Sequence, residues 1–344
     1  MLPVYRERDR VSDLAERNHK TFDECFSRLK HNAVICIFPE GTHRGKKQLV
    51  ALKKGASRLV TGAYDAGVTD VCVVPVGLDY ENYYQYRRNL LVRFGKPIDM
   101  DSRLLEGSSD RARYQSKLTE EIRSALSSIM IDIRNDDVYK EIMFLKPFCD
   151  KLNEDAILGK QFDVFKKFSL KMDKDVEAQK FLHHEVNELQ HISHRLKITE
   201  ELYMEKFNPL LAVLLLITLP LIVLPVLVFY PIYFMTERFV ESVVKDPLFQ
   251  NSIRLVFWTF LTPIWLLLIL AILKILSVNW MLSGLLLACI LATGVISLYW
   301  WQGWKKWKHH LHCRKIQSSQ SIEWKKFVDL RNKVKDWLKD QIVD

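Results

Sequence analysis

The residues best placed to do chemistry are gathered in Phe38-Pro39-Glu40-Gly41-Thr42-His43-Arg44-Gly45, where the apolar run AVICIF (33–38) ends. Glu40 stands at the end of that run, the position at which ligands meet the strands of open α/β sheets. A tight glycine turn followed by Thr42, His43 and Arg44 brings backbone N–H groups and cationic side chains toward an anion. Lys53, Lys54 and Gly55 open the next helical stretch and add positive charge. The chemistry on offer is anion binding beside a carboxylate. For this stretch taken alone, a strand-to-helix turn with solvated charges is the competing reading.

Two other clusters invite a metal. His183, His184, His191 and His194 share a stretch with Glu185 and Glu188, and helical spacing puts several on one face. Histidine boxes of membrane di-iron enzymes surround several spans, and nothing comparable accompanies these, so a solvated helix is the expectation and no metal is assigned. His309, His310, His312 and Cys313 follow a tryptophan-rich segment, and a basic stretch facing lipid headgroups accounts for them.

Elements that would hold the first cluster can be read from periodicity. Leu14, Phe22, Phe26 and Leu29 mark a helix over about 11–30, and AVICIF reads as a buried strand. Leu49, Leu52, Ala56, Leu59, Val60 and Ala63 repeat at helical spacing until Gly67. VCVVPVGL (71–78), interrupted by Pro75, and NLLVRFG (89–95) read as further strands, with a closing helix at about 111–130. Strand, helix, strand in this rhythm predicts an α/β layer domain over 1–135. Residues 136–206 are crowded with charge and predict long helices, broken near Gly159.

The remaining chain separates sharply by polarity. Of 344 residues 49% are apolar, yet no Lys, Arg, Asp or Glu occurs in 207–236, 255–273 or 275–304. Spanning a bilayer takes about 20 apolar residues, so the last two stretches predict a membrane hairpin. The stretch 207–236 carries Pro220 and Pro225 in its interior and is expected to break into a bent re-entrant segment. Trp300, Trp301, Trp304 and Trp307 run into lysines as an interfacial belt does. The tail 305–344 holds eleven Lys/Arg against five Asp/Glu. Within it Phe327, Leu330, Val334, Trp337 and Leu338 predict an amphipathic helix, docked on another domain or, by preference, on the membrane surface. The net charge of +9, placed beside apolar spans, favours anionic lipid over nucleic acid as a partner. Six scattered cysteines without a Cys-x-x-Cys pair suit a reducing compartment. The first residues lack the apolar run of a signal peptide, which places the charged half in the cytosol.

The order of motifs carries a resemblance. Phe38-Pro39-Glu40-Gly41-Thr42, then Lys53-Lys54-Gly55-Ala56, then Val74-Pro75-Val76 resembles the glycerophosphate and lysophospholipid acyltransferase family over roughly residues 1–130. Leu2-Pro3-Val4-Tyr5-Arg6 looks like the tail of that family's second block, FPEGT its third and Val74-Pro75-Val76 its fourth. The resemblance implies a glycerolipid-acyltransferase-like fold, no cofactor, and acyl transfer from a coenzyme A or acyl-carrier-protein thioester to glycerol 3-phosphate or lysophosphatidate. It implies that Arg6, Phe38, Pro39, Gly41, Thr42 and Lys53 bind the acceptor, that Glu40 contacts or organises its glycerol part, and that Pro75 shapes the cleft. Where the family reads Arg-Ser after FPEGT, this chain has His43-Arg44, so Arg44 or protonated His43 takes the phosphate role.

One block is missing from these residues. The family's first block, His-x-x-x-x-Asp, supplies base and orienter ahead of the second, and no such block precedes Leu2. His19, followed by Asp23 and Glu24, lies after the Arg6 block and reads as a solvated or capping residue. The expectation is an N-terminally incomplete copy, inactive or nearly so as it stands, whose base lies upstream of Met1. A non-catalytic lipid-binding or scaffold protein on the same fold is the alternative.

Overall fold

A computed structural model describes residues 12–42, 44–68, 70–84, 88–100, 110–204 and 208–343. They form two compact bodies, one from the chain up to Glu81 with 89–139 and 169–174, the other from 82–88, 140–168 and 175–344.

In the first body, α1 (Leu14–Lys30) lies on α2 (Gly55–Asp65), and Gly62 is where they meet. A Cβ on Gly62 would stand 2.5 Å from the Phe26 ring, so only glycine permits that approach. The opposite face of α2 buries Ala56 and Val60 with Leu118, Ile122 and Leu126 of α3 (Arg111–Ile129), completed by Leu49, Ile98 and Met100. Asp110 caps α3 by accepting from Arg113 N at 3.1 Å, satisfying an otherwise orphaned amide.

The single strand layer expected here is not what the described residues form. Strands β1 (Cys72–Val73) and β4 (Ile98–Asp99) make one antiparallel pair, and β2 (Val76–Tyr80) and β3 (Leu90–Phe94) another. Pro75 has no N–H to offer a ladder, and it stands where the 71–80 run passes from one partner to the other. Residues 33–38 form no regular element, and among the described residues no neighbouring strand pairs with them. Val34 and Phe38 are exposed. An apolar run becomes a strand only when a second chain takes its backbone groups.

The second body is helical. The break expected near Gly159 falls at 153–157, between α5 (Lys146–Leu152) and α6 (Leu158–Met172), after the short α4 (Tyr139–Phe144). Helix α7 runs through Val176–Phe181, a π-turn at Leu182–Val186 and Asn187–Arg195, and α8 is Glu200–Met204. Leu182, Val186, Leu189 and Ile192 point inward. Three long apolar helices follow: α9 (Pro209–Val243), α10 (Pro247–Ile275) and α11 (Trp280–Ser319). Each begins behind a side-chain cap, Asn208, Asp246 or Asn279, and α9 and α10 place proline at the first position, where its missing N–H costs nothing. Helix α9 is unbroken through Pro220, Pro225 and Pro231, so the expected break is absent. Each proline removes one backbone bond, and in an apolar helix of 35 residues the others persist.

The tail forms α12 (Ile322–Val343), which docks on the helical body and does not lie free for a membrane surface. Phe327, Val334 and Leu338 are fully buried, and Trp337 stacks on Phe181 with ring centroids 4.3 Å apart. Periodicity finds the buried face of such a helix but cannot name what covers it.

Candidate active site

The turn at Phe38–Thr42 is closed by Gly41 N donating to Phe38 O at 3.2 Å. Gly41 has φ of 64°, the left-handed region that glycine enters without a Cβ penalty. Two further bonds fold the following chain back beside the turn. Lys53 N donates to Pro39 O at 2.8 Å, and Val50 N donates to Glu40 Oε2 at 3.1 Å. Glu40 therefore spends one carboxylate oxygen on holding the return leg, while Thr42, Arg44 and Lys53 are exposed at the same turn. Lys54 is drawn away to Ser116 Oγ at 2.8 Å.

The return leg is anchored along its length. Lys47 is 3% exposed; its ammonium group pairs with the Asp79 carboxylate and donates to Tyr80 O at 2.7 Å. Leu49 N donates to Asp132 Oδ1 at 2.9 Å, and Arg123 Nη1 donates to Val50 O at 3.0 Å. Pro75 is buried, its carbonyl accepting from Gly95 N at 2.8 Å. Gly77 lies so close to the end of α3 that a Cβ would meet Met130 Cγ at 2.8 Å. The FPEGT turn and the Val74-Pro75-Val76 strand are thus tied together through Lys47 and Asp79. Arg6 and His43 lie outside the described residues.

Residues 3–79 match the family described as Acyltransferase. The stretch that holds the FPEGT turn thus resembles an acyltransferase domain. Over 114 residues it is 33% identical to glycerol-3-phosphate O-acyltransferase 2 of Saccharomyces cerevisiae, covering 33% of this chain and 15% of that protein. Over 257 residues it is 21% identical to glycerol-3-phosphate O-acyltransferase 1 of the same yeast, covering 68% of this chain and 33% of that protein. The chain thus spans a third or less of the length of these relatives. No solved structure matches it.

Sequence reasoning missed Lys47, Asp79 and Asp132. A signal was present, since Asp79 is the one acid in the apolar segment 71–80, and an acid inside such a run needs a buried cation. The histidine clusters have other duties. His19 Nδ1 meets Asp23 Oδ2 at 2.8 Å on the exposed side of α1. His183, His184, His191 and His194 are exposed, while Glu185 and Glu188 pair with Lys333 and Lys326 of α12. The reading of His309 to Cys313 as facing headgroups is corrected. His309 Nε2 accepts from Thr199 N at 3.0 Å, His312 Nε2 donates to Leu196 O at 2.8 Å, and Cys313 is buried. Burial holds His309 below the ordinary imidazole value, helped by His312 and His310, as suits a neutral acceptor. Burial likewise pushes the Cys313 thiol up to about 11, leaving it unreactive near neutrality.

Proposed function

We propose that the chain binds a glycerophosphate acceptor at the FPEGT turn, as part of a membrane-bound acyltransferase of glycerolipid synthesis. The observation that carries this is the Lys53 N to Pro39 O bond. It sets one exposed lysine beside a turn that already carries Arg44, on a loop whose glutamate is held in place. Two cations and the turn amides suit a phosphate dianion. Arg44 takes the phosphate, Arg6 and Lys53 assist, Phe38, Pro39, Gly41 and Thr42 line the acceptor, and Pro75 shapes the cleft from behind.

The reaction joins the acceptor hydroxyl to a thioester of coenzyme A or acyl carrier protein. The hydroxyl oxygen forms the ester bond, the C–S bond breaks, and the thiol leaves with the proton. A general base must take that proton in passing, and no His-x-x-x-x-Asp occurs anywhere in these 344 residues. These residues alone are therefore proposed to bind acceptor better than they convert it. Loss of a general base typically lowers the rate by roughly 10²–10⁴-fold. The yeast relatives, glycerol-3-phosphate O-acyltransferases by name, support glycerol 3-phosphate as acceptor over lysophosphatidate. Three apolar helices support residence at a membrane, with the acyltransferase domain on the cytosolic face and Lys305, Lys306 and Lys308 beside anionic lipid.

Calorimetric titration of the whole chain in lipid nanodiscs tests the reading. Glycerol 3-phosphate should bind, glycerol should not, and acyl transfer should run far below the binding signal. Equal heats from glycerol and glycerol 3-phosphate would remove the phosphate site. Transfer at rates usual for enzymes would remove the claim about the base.

A further inference from the structure

Contacts among the three apolar helices bear on how they meet a bilayer. The start of α9 and the end of α11 lie together. Thr199 and Leu196, a few residues ahead of α9, bond to His309 and His312 of α11, and Glu200 pairs with Arg331 of α12 at 3.1 Å. Further in, Trp300 Nε1 donates to Leu215 O at 3.0 Å, and Gly303 faces Leu215 and Leu211. Both flanks of the apolar unit are thus on one side.

The other end of α9 is also tied to polar chain. Arg254 of α10 grips both Glu237 oxygens at 2.9 Å, and Phe257 packs on Phe239 at 4.6 Å. Asn251 Nδ2 donates to Tyr84 O at 2.7 Å. A hairpin of α10 and α11 starts and ends on one face, so the start of α10, and with it the end of α9, is on the side that holds the end of α11 and the start of α9.

Helices α10 and α11 meet α9 again at its middle. Trp265 Nε1 donates to Val228 O at 2.9 Å, while Phe229 touches both Trp258 and the Gly294 position. From there α10 and α11 run on to the tight turn at 276–279, about 15 and 20 Å further at 1.5 Å per residue. At that turn the Lys274 ammonium lies 4.0 Å from the centre of the Trp280 ring, an aromatic and basic anchor like the one at Trp300, Trp304 and Lys305. The twenty residues from Trp280 to Trp300 rise about 30 Å, the thickness of the hydrocarbon core.

We infer that α9 does not cross the membrane. It lies submerged along the face that bears the helical body, with both ends on that side, and α10 and α11 alone cross as a hairpin. The occupant of its exposed apolar faces is bilayer hydrocarbon. Leu219, Leu221, Leu224 and Leu227 are bare on α9, and water does not tolerate a patch of that size on a stable monomer. A helix about 5–10 Å deep would leave the hairpin tip near the opposite interface. The inference rests on membrane residence of the three helices and not on acyl transfer.

Cysteine accessibility in sealed membrane vesicles with the acyltransferase domain outward tests it, using a membrane-impermeant maleimide and mass spectrometry of the labelled peptides. Native Cys36 and Cys72, both exposed, report vesicle orientation. Lys245→Cys should label in intact vesicles and Leu276→Cys only after permeabilisation. Labelling of Lys245→Cys only after permeabilisation would make α9 a crossing helix and overturn the inference. Labelling of both variants in intact vesicles would overturn the hairpin crossing.

Discussion

The surroundings of the FPEGT turn and the core of the helical body hold their segments together by different means. Around the FPEGT turn, segments far apart in sequence are joined by single polar contacts: Lys47 to Asp79, Leu49 N to Asp132, Val50 N to Glu40. In the helical body, Phe148, Phe165, Leu182, Leu189 and Phe327 are all fully buried, and ion pairs decorate the edges of that packing. Apolar packing spreads its energy over many neighbours, whereas a polar pin puts it in one place and fixes a geometry. A site that must hold a loop at a set distance from a strand gains from the second arrangement. A body that must only keep two membrane flanks together needs the first.

The largest effect should come from removing the deepest pin. Lys47→Met leaves Asp79 without its cation in a site where Lys47 is 3% exposed, and breaking a buried pair from one side costs about 3–5 kcal/mol. Thermal or urea unfolding of the whole chain in nanodiscs measures the loss. The pair Lys47→Met with Asp79→Leu should recover most of that stability, because an apolar pair of similar volume removes the unpaired charge. If acceptor affinity returns with stability, the pin is only structural. If affinity stays low, its geometry serves the site.

Glu200 and Arg331 make a polar contact of the same kind in the helical body, and pH separates it from the rest. Burial raises the Glu200 carboxyl above the ordinary value, with Arg331 opposing the rise. A raised value means the folded chain takes up the proton more readily than the unfolded chain. The residue's contribution is then fully present below the ordinary carboxylate value, about 4.3, and lost as pH rises through the folded value. Arg331→Met removes the opposing cation and should widen that window. The variant should match the parent near pH 4 and fall behind by about 3 kcal/mol at pH 7. Adding Glu200→Gln should flatten the difference between the two pH values. A constant gap from pH 4 to 7 would assign the loss to packing of Arg331 on Tyr203, whose ring centre lies 4.8 Å away.

The same contrast governs how much could be read from the sequence. FPEGT was legible because its turn is local: a glycine that must adopt positive φ, and a glutamate and lysine within fifteen residues of each other. The hairpin of α10 and α11 was legible from charge-free length alone, whereas α9 was not, because Pro220 and Pro225 suggested a break that the helix does not make. Lys47 was not, because its partner lies 32 residues on and a lysine between Lys46 and Gln48 looks solvated. The α/β layer was over-read, since apolar content shows that 33–38 can be extended but not what pairs with it. The docking of α12 was hidden for a related reason. Glu185 and Glu188 looked like companions of the histidines beside them, and only the fold brings Lys333 and Lys326 across to them.

The smallest effect on stability, and the sharpest for mechanism, belongs to Glu40. One of its oxygens accepts from Val50 N at 3.1 Å in a half-buried setting, so Glu40→Ala should cost about 1 kcal/mol of stability, the usual net value of such a bond. Acceptor binding should fall much further, by tenfold or more, if the carboxylate also meets the glycerol hydroxyls. Glu40→Gln separates the two roles. Its amide oxygen can still accept from Val50 N, so the turn keeps its shape while the negative charge is lost. Calorimetric affinity for glycerol 3-phosphate close to the parent in Glu40→Gln, and low in Glu40→Ala, would make Glu40 a positioning residue that acts through the return leg. Affinity lost equally in both would place its charge in contact with the acceptor, and the fold of each variant is checked by the same unfolding curve that measures the first kilocalorie.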